Sequence, residues 1–131
     1  MWLFTDFGFF SIVCKPGTKN LCVRARMPGD LEAFRDRLAQ VSAFDGANAA
    51  EQWPIEDFTG TDYAFRLYAS NDDVAALMSE FVKGIDYNNF KGRVGRTQGH
   101  DRASVYMNVW SIMNRMQEKA VGWAYGRRTR Q

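Results

Sequence analysis

The chain has 131 residues, 46% hydrophobic and 15% aromatic, with a net charge of +2. That length predicts one domain able to bury a core without staples, and the composition excludes intrinsic disorder. No run of about 20 apolar residues occurs, so no membrane-spanning helix is expected.

The chain opens as MWLFTDFGFF, which is apolar but lacks the basic segment of a secretion signal and is broken by Asp6 and Gly8. A cytoplasmic location is the expectation. Residues 2–5 predict a short first strand or a lead-in to one. Residues 8–15, GFFSIVCK, are rich in aromatic and β-branched residues and predict a strand. KPGTKN supplies turn chemistry, and LCVRARM at 21–27 then alternates cleanly. Leu21, Val23, Ala25 and Met27 face one way and Cys22, Arg24 and Arg26 the other, which makes a half-buried antiparallel hairpin with 8–15. Cys14 and Cys22 flank its turn and could lie across from each other. Without a CxxC or Cys/His ligand spacing, they read as two reduced thiols; neither metal nor cofactor is expected.

Asp30 is placed as the N-cap of a helix carrying Leu31, Phe34, Leu38 and Val41 at helical spacing and ending near residue 42. Residues 43–61 are small, polar and irregular, and predict a long surface loop with a turn at Trp53. DYAFRLYAS at 62–70 alternates again, with Tyr63, Phe65, Leu67 and Ala69 on one face and Ala64, Arg66 and Tyr68 on the other. SNDD caps a strong helix with Val74, Leu77, Met78, Phe81, Val82 and Ile85 as its stripe. Asp86 is a candidate cap for a short helix over 87–97 with Tyr87, Phe90 and Val94 inward, ended by Gly99. Asp101 would cap a last helix over 102–119, with Val105, Val109, Ile112, Met113 and Met116 on one face and Trp110 in the core.

These elements, in the order β-β-α-β-α-α, predict an α+β two-layer sandwich: an antiparallel sheet with helices on one face, ferredoxin-like in spirit. Residues 1–120 are expected to form a single domain and 121–131 a basic C-terminal tail.

Charge is unevenly spread. Residues 1–82 carry 7 Lys+Arg against 12 Asp+Glu, a net of −5, and residues 83–131 carry 10 against 3, a net of +7. Either the basic half meets an anionic partner or the halves neutralise each other. Within the basic half, NNFKGRVGRTQGH holds Lys91, Arg93, Arg96 and His100, with Arg102 just beyond. It has no P-loop signature, so it reads either as helix punctuation or as an anion-binding segment. His100 is the only histidine. It could act as the base of a metal-independent acid–base site, but no nucleophile or ligand set accompanies it. Arg24, Arg26, Arg66 and Tyr68 share the other sheet face, which would be a basic, aromatic platform if open. Trp123 and Tyr125, beside Arg127 and Arg128, would suit a partner surface.

Several stretches together resemble a family of small uncharacterised bacterial proteins: MWLFTDFGFFSIVCKPG, LCVRARMPGDLEAFR, DYAFRLYAS, IDYNNFK and QGHDRASVYMNVW. The resemblance covers most of residues 1–116 and departs at the loop 43–58 and in the tail. It implies a compact bacterial cytosolic domain whose hallmark is the 86–110 segment. Tyr87, Asn89, Phe90, Lys91, Gly99, His100, Asp101, Arg102, Tyr106 and Trp110 are its marker positions. It brings no activity with it.

Three function classes follow. The first is a small non-catalytic binding or adaptor domain, self-associating, that meets a protein or anionic partner through its basic C-terminal half. The second is a nucleic-acid binder using Lys91, Arg93, Arg96 and the RRTR tail. The third is a metal-independent enzyme centred on His100.

Overall fold

A computed structural model describes residues 1–46 and 48–128, with side chains described as far as Val121. The chain forms two compact units, Met1–Asn88 and Asn89–Gln131, each taken in turn below.

The first unit is an α+β sandwich. Five strands, β1 (Trp2–Phe4), β2 (Phe9–Cys14), β3 (Leu21–Ala25), β4 (Glu56–Asp57) and β5 (Phe65–Ala69), form a sheet in the order β1-β2-β3-β5-β4. Every neighbouring pair is antiparallel. Helices α1 (Pro28–Val41) and α3 (Asn71–Lys83) supply the second layer, with a short α2 (Ala49–Gln52). The period of two in β2, β3 and β5 puts Phe10, Ile12, Val23, Ala25, Leu67 and Ala69 on one face. There they meet Leu31, Phe34 and Leu38 of α1 and Val74 and Leu77 of α3 in one buried cluster. Each fully buried Leu or Phe contributes about 1.5–3 kcal/mol. Rings continue the core: Phe7, Phe10 and Phe34 are linked at centroid distances of 5.6 and 5.0 Å, and Phe81 lies 5.0 Å from Phe7.

The same alternation decides the cysteines. Cys14 is in register with Leu21, and Cys22 with Val13. The two thiols therefore point to opposite faces and cannot be bridged; both are free, Cys14 exposed and Cys22 buried.

Local chemistry departs from the sequence reading at four places in this unit. Asp30 is not an N-cap. α1 starts earlier, behind Met27 and with Pro28 in its first turn, where the missing N–H costs nothing. Asp30 is buried and its Oδ2 accepts the Phe9 N–H at 3.1 Å, tying the helix start to β2. The 43–61 segment is not a plain surface loop. It holds α2, capped by Asn48, then β4, and between them Trp53 is buried with its ring 5.1 Å from Phe44. Tyr63 is not on the Leu67 face. Regular strand geometry begins only at Phe65, so the alternation does not reach back to it, and its ring packs 6.3 Å from Phe9 on the opposite face. Val82 and Ile85 are exposed rather than part of the α3 stripe, Ile85 lying beyond the Gly84 cap. Ser70 does cap α3 as expected, accepting the Asp73 N–H at 3.1 Å.

Between β1 and β2 the chain turns on Thr5, whose Oγ1 accepts the N–H groups of Phe7 and Gly8 at 3.2 and 3.0 Å. A Cβ at Gly8 would lie 2.6 Å from Phe10 Cζ and 3.0 Å from Asp30 Cβ. Phe10 is fully buried and cannot swing out. Gly8→Ala is therefore expected to cost about 1–3 kcal/mol, read as a lower urea midpoint. An unchanged midpoint would mean that Phe10 relaxes without cost.

The second unit is a helical hairpin of α4 (Phe90–Gln98) and α5 (His100–Arg128). Asn89, not Asp86, caps α4, its Oδ1 accepting the Gly92 N–H at 2.9 Å. Gly99 makes the link at φ +89°, a conformation natural to glycine. α5 then starts at once, with Asp101 inside its first turn rather than ahead of it. Val94, Ala103 and Tyr106 are buried, and Phe90 stacks on Tyr106 at 5.9 Å and 9°.

Two further expectations fail here. The helix does not stop at residue 119 before a loose tail; it runs on to Arg128, through Gly122 and Gly126. Trp110 is not core but 62% exposed. Nine-residue α4 spans only about 13 Å, and with Phe90 already beside Tyr106 nothing in it reaches the later turns of α5. The side chains of Trp123, Tyr125, Arg127 and Arg128, and all of residues 129–131, lie outside the described residues. Among the described residues no helix is long and apolar enough to cross a membrane.

Candidate functional site

Three surfaces hold the candidate residues. The first is the sheet face opposite the core. Strand register sets Ser11, Arg24, Arg66 and Glu56 in one row across β2, β3, β5 and β4. Cys22 and Tyr68 form the next row. On this face arginines and rings interleave. The Arg24 and Arg26 guanidiniums lie 4.7 and 5.0 Å from the Tyr63 ring centre, and that of Arg66 lies 4.3 Å from Phe58. Each such contact is a cation–π attraction. Arg24 Nη2 donates to Ser11 Oγ at 2.7 Å, and Arg26 Nε to the Asp62 carbonyl at 3.2 Å. Arg24, Arg66 and Tyr68 are half-buried and Arg26 is exposed. Hydrogen bonding to Cys22, then burial and the charges of Cys22 and Glu56, raise the Tyr68 phenol above its ordinary value, with Arg66 opposing.

Sequence reasoning found the three arginines and Tyr68. It missed Tyr63 and Phe58, since both belong to the turn before β5, where no periodic signal exists.

The second surface is the start of the hairpin. Lys91, Arg96 and His100 are exposed. Arg93 and Arg102 are half-buried and engaged by neighbours; the Arg102 guanidinium lies 6.0 Å from the Tyr106 ring centre. Lys91, Arg93, Arg96, Arg102 and His100 are thus not one exposed patch. A Cβ on Gly95 would lie 3.8 Å from His100 Nδ1, an ordinary van der Waals contact, so the ring sits beside Gly95 without depending on it.

The third surface is the outer length of α5. Ile112, Met113 and Met116 are 59, 54 and 64% exposed, with Trp110 beside them. Asn114 donates to Glu118 at 3.2 Å across one turn. Val109, Met113, Met116 and Ala120 follow a 4-3-4 spacing, the same as that of a coiled-coil seam.

A groove of about 390 Å³ lies between α1 and α3, lined by Gln40, Val41, Ala76, Ser79, Glu80 and Lys83. None of the candidate residues lines it. Among the described residues, no group of three or more His, Cys, Asp or Glu side chains could hold a metal ion.

Fold and surfaces together define a class: an antiparallel α+β sandwich followed by a two-helix unit whose long helix exposes apolar side chains. No protein-family model, curated protein or solved structure matches the chain significantly.

Proposed function

We propose that this protein is a small non-catalytic binding domain that self-associates through α5. One observation carries the reading. α5 runs for 29 residues, yet its outer turns leave Trp110, Ile112, Met113 and Met116 exposed. Helices hold together chiefly by packing an apolar face, and an uncovered stretch with two glycines is marginal in water. A partner helix would remedy both defects.

The sequence of that stretch favours a second copy as the partner. In an antiparallel pair, seam positions of one kind meet those of the other. Met113 would then face Met116 of the second copy, and Val109 would face Ala120. Large meets small at the ends, and flexible thioethers fill the centre. A two-fold axis leaves this pairing unchanged, as a closed dimer requires. The basic C-terminal half is then an assembly element, and exposed cations among its described residues, such as Lys91 and Arg96, are available to an anionic partner. Nucleic-acid binding and a His100-centred acid–base activity are the alternatives.

Sedimentation velocity over a wide concentration range tests the proposal. A reversible monomer–dimer equilibrium is the expected result. A chain that stays monomeric at every concentration removes the self-association reading.

A further inference from the structure

We propose that Arg24 and Arg66 form a receptor for one phosphate group, on the sheet face of the first unit and independent of α5. The two residues are direct cross-strand partners. Like charges placed opposite each other on neighbouring strands destabilise a sheet. Here cation–π contacts to Tyr63 and Phe58 and hydrogen bonds to Ser11 and Thr61 hold the guanidiniums, but no ion pair offsets the charge. Among the described residues neither arginine forms an ion pair, and Glu56, although in register with Arg66, makes none with it. The Nε of Arg24 and that of Arg66 are both buried without an acceptor. A buried guanidinium N–H without an acceptor costs stability, and places where a fold breaks its own rules are where ligands act.

The surroundings choose the ligand. Two guanidiniums carry two positive charges and match a phosphomonoester dianion better than a single carboxylate. The Ser11 hydroxyl accepts from Arg24 Nη2, which leaves its own proton to donate. Ser11, Arg24 and Arg66 are thus neighbours in one row across β2, β3 and β5, and a phosphate has several terminal oxygens to share among adjacent donors. Stacking of a nucleobase is disfavoured, because Tyr63 is only 3% exposed and Phe58 already carries the Arg66 guanidinium. A short cluster of this kind suits a single phosphate and not a long polyanion, which needs many contacts in a row.

Methyl phosphate, dimethyl phosphate and acetate, titrated into the full chain at constant ionic strength and followed by calorimetry, test the site. Saturable binding of methyl phosphate to one site is expected. Arg24→Gln and Arg66→Gln should each weaken it about 10-fold or more, as loss of a charge-assisted hydrogen bond does. Arg115→Gln, on α5, should leave it unchanged. Tighter binding of dimethyl phosphate would overturn the monoester assignment in favour of a phosphodiester; equal binding of acetate would overturn the phosphate assignment. Absence of saturable binding, or binding that survives both glutamine variants, would overturn the site. Should either glutamine variant fail to fold, Arg24→Lys and Arg66→Lys keep the charge but lose the two-pronged geometry, and the same weakening is expected of them.

Discussion

Met113→Lys is expected to abolish self-association, and adding Met116→Glu in the same chain is expected to restore it. The first change removes one buried Met from each side of the proposed seam. At about 1.5–3 kcal/mol per side chain, the dimer loses roughly 3–6 kcal/mol, or a factor of about 100 or more in Kd. The second substitution separates the geometries. In an antiparallel pair the new ammonium at position 113 of one copy faces the new carboxylate at position 116 of the other, twice over. In a parallel pair each new charge would face its own kind. Within one helix the two positions are three residues apart and opposite charges there support each other, so the helix itself is not harmed. Sedimentation velocity of the two variants gives the answer. Association of Met113→Lys at wild-type strength would exclude α5 as the interface. Loss in the single variant without recovery in the double would exclude the antiparallel register.

The largest effect on stability is expected from Trp53→Ala. Trp53 is 2% exposed and belongs to the core cluster of the first unit. It is held there by the chain between α2 and β4, against Phe44. Removing so large a buried ring costs about 3–5 kcal/mol, a major share of a domain's total of about 5–15 kcal/mol. A urea titration followed by far-UV circular dichroism measures it. A loss below about 1 kcal/mol would show that the 43–61 segment can leave the core without consequence.

Trp53 and the exposed length of α5 mark the limit of what could be read from sequence. Strands β2, β3 and β5 and helices α1 and α3 were legible, because each carries its own periodic stripe along its length. The Ser70 cap was legible because its chemistry is local. Trp53 was not, since a single tryptophan between Gln52 and Pro54 has no period. Trp110 was placed in the core for the opposite reason: it sits at a plausible spacing, but nothing in α4 is long enough to cover it. Asp30 looked like a cap because it precedes an apolar run, whereas Pro28 had already started the helix. Of the candidate residues, the sheet-face arginines were legible from alternation. Their interleaving with Tyr63 and Phe58 was not, because those rings arrive from a turn.

The sequence by itself determined the α+β class, the antiparallel hairpin, the two-sided faces of the strands and the acidic-to-basic change along the chain. All of these follow from composition, or from repeats and caps within a few residues of one another. Tertiary structure alone decided the strand order, the opposed directions of Cys14 and Cys22, the burial of Trp53 and Asp30, and the cross-strand pairing of Arg24 with Arg66 without an ion pair among the described residues. It also decided that α5 outruns its cover. Each of these depends on which distant segment lies alongside, and a local pattern states which face is apolar without stating what will cover it.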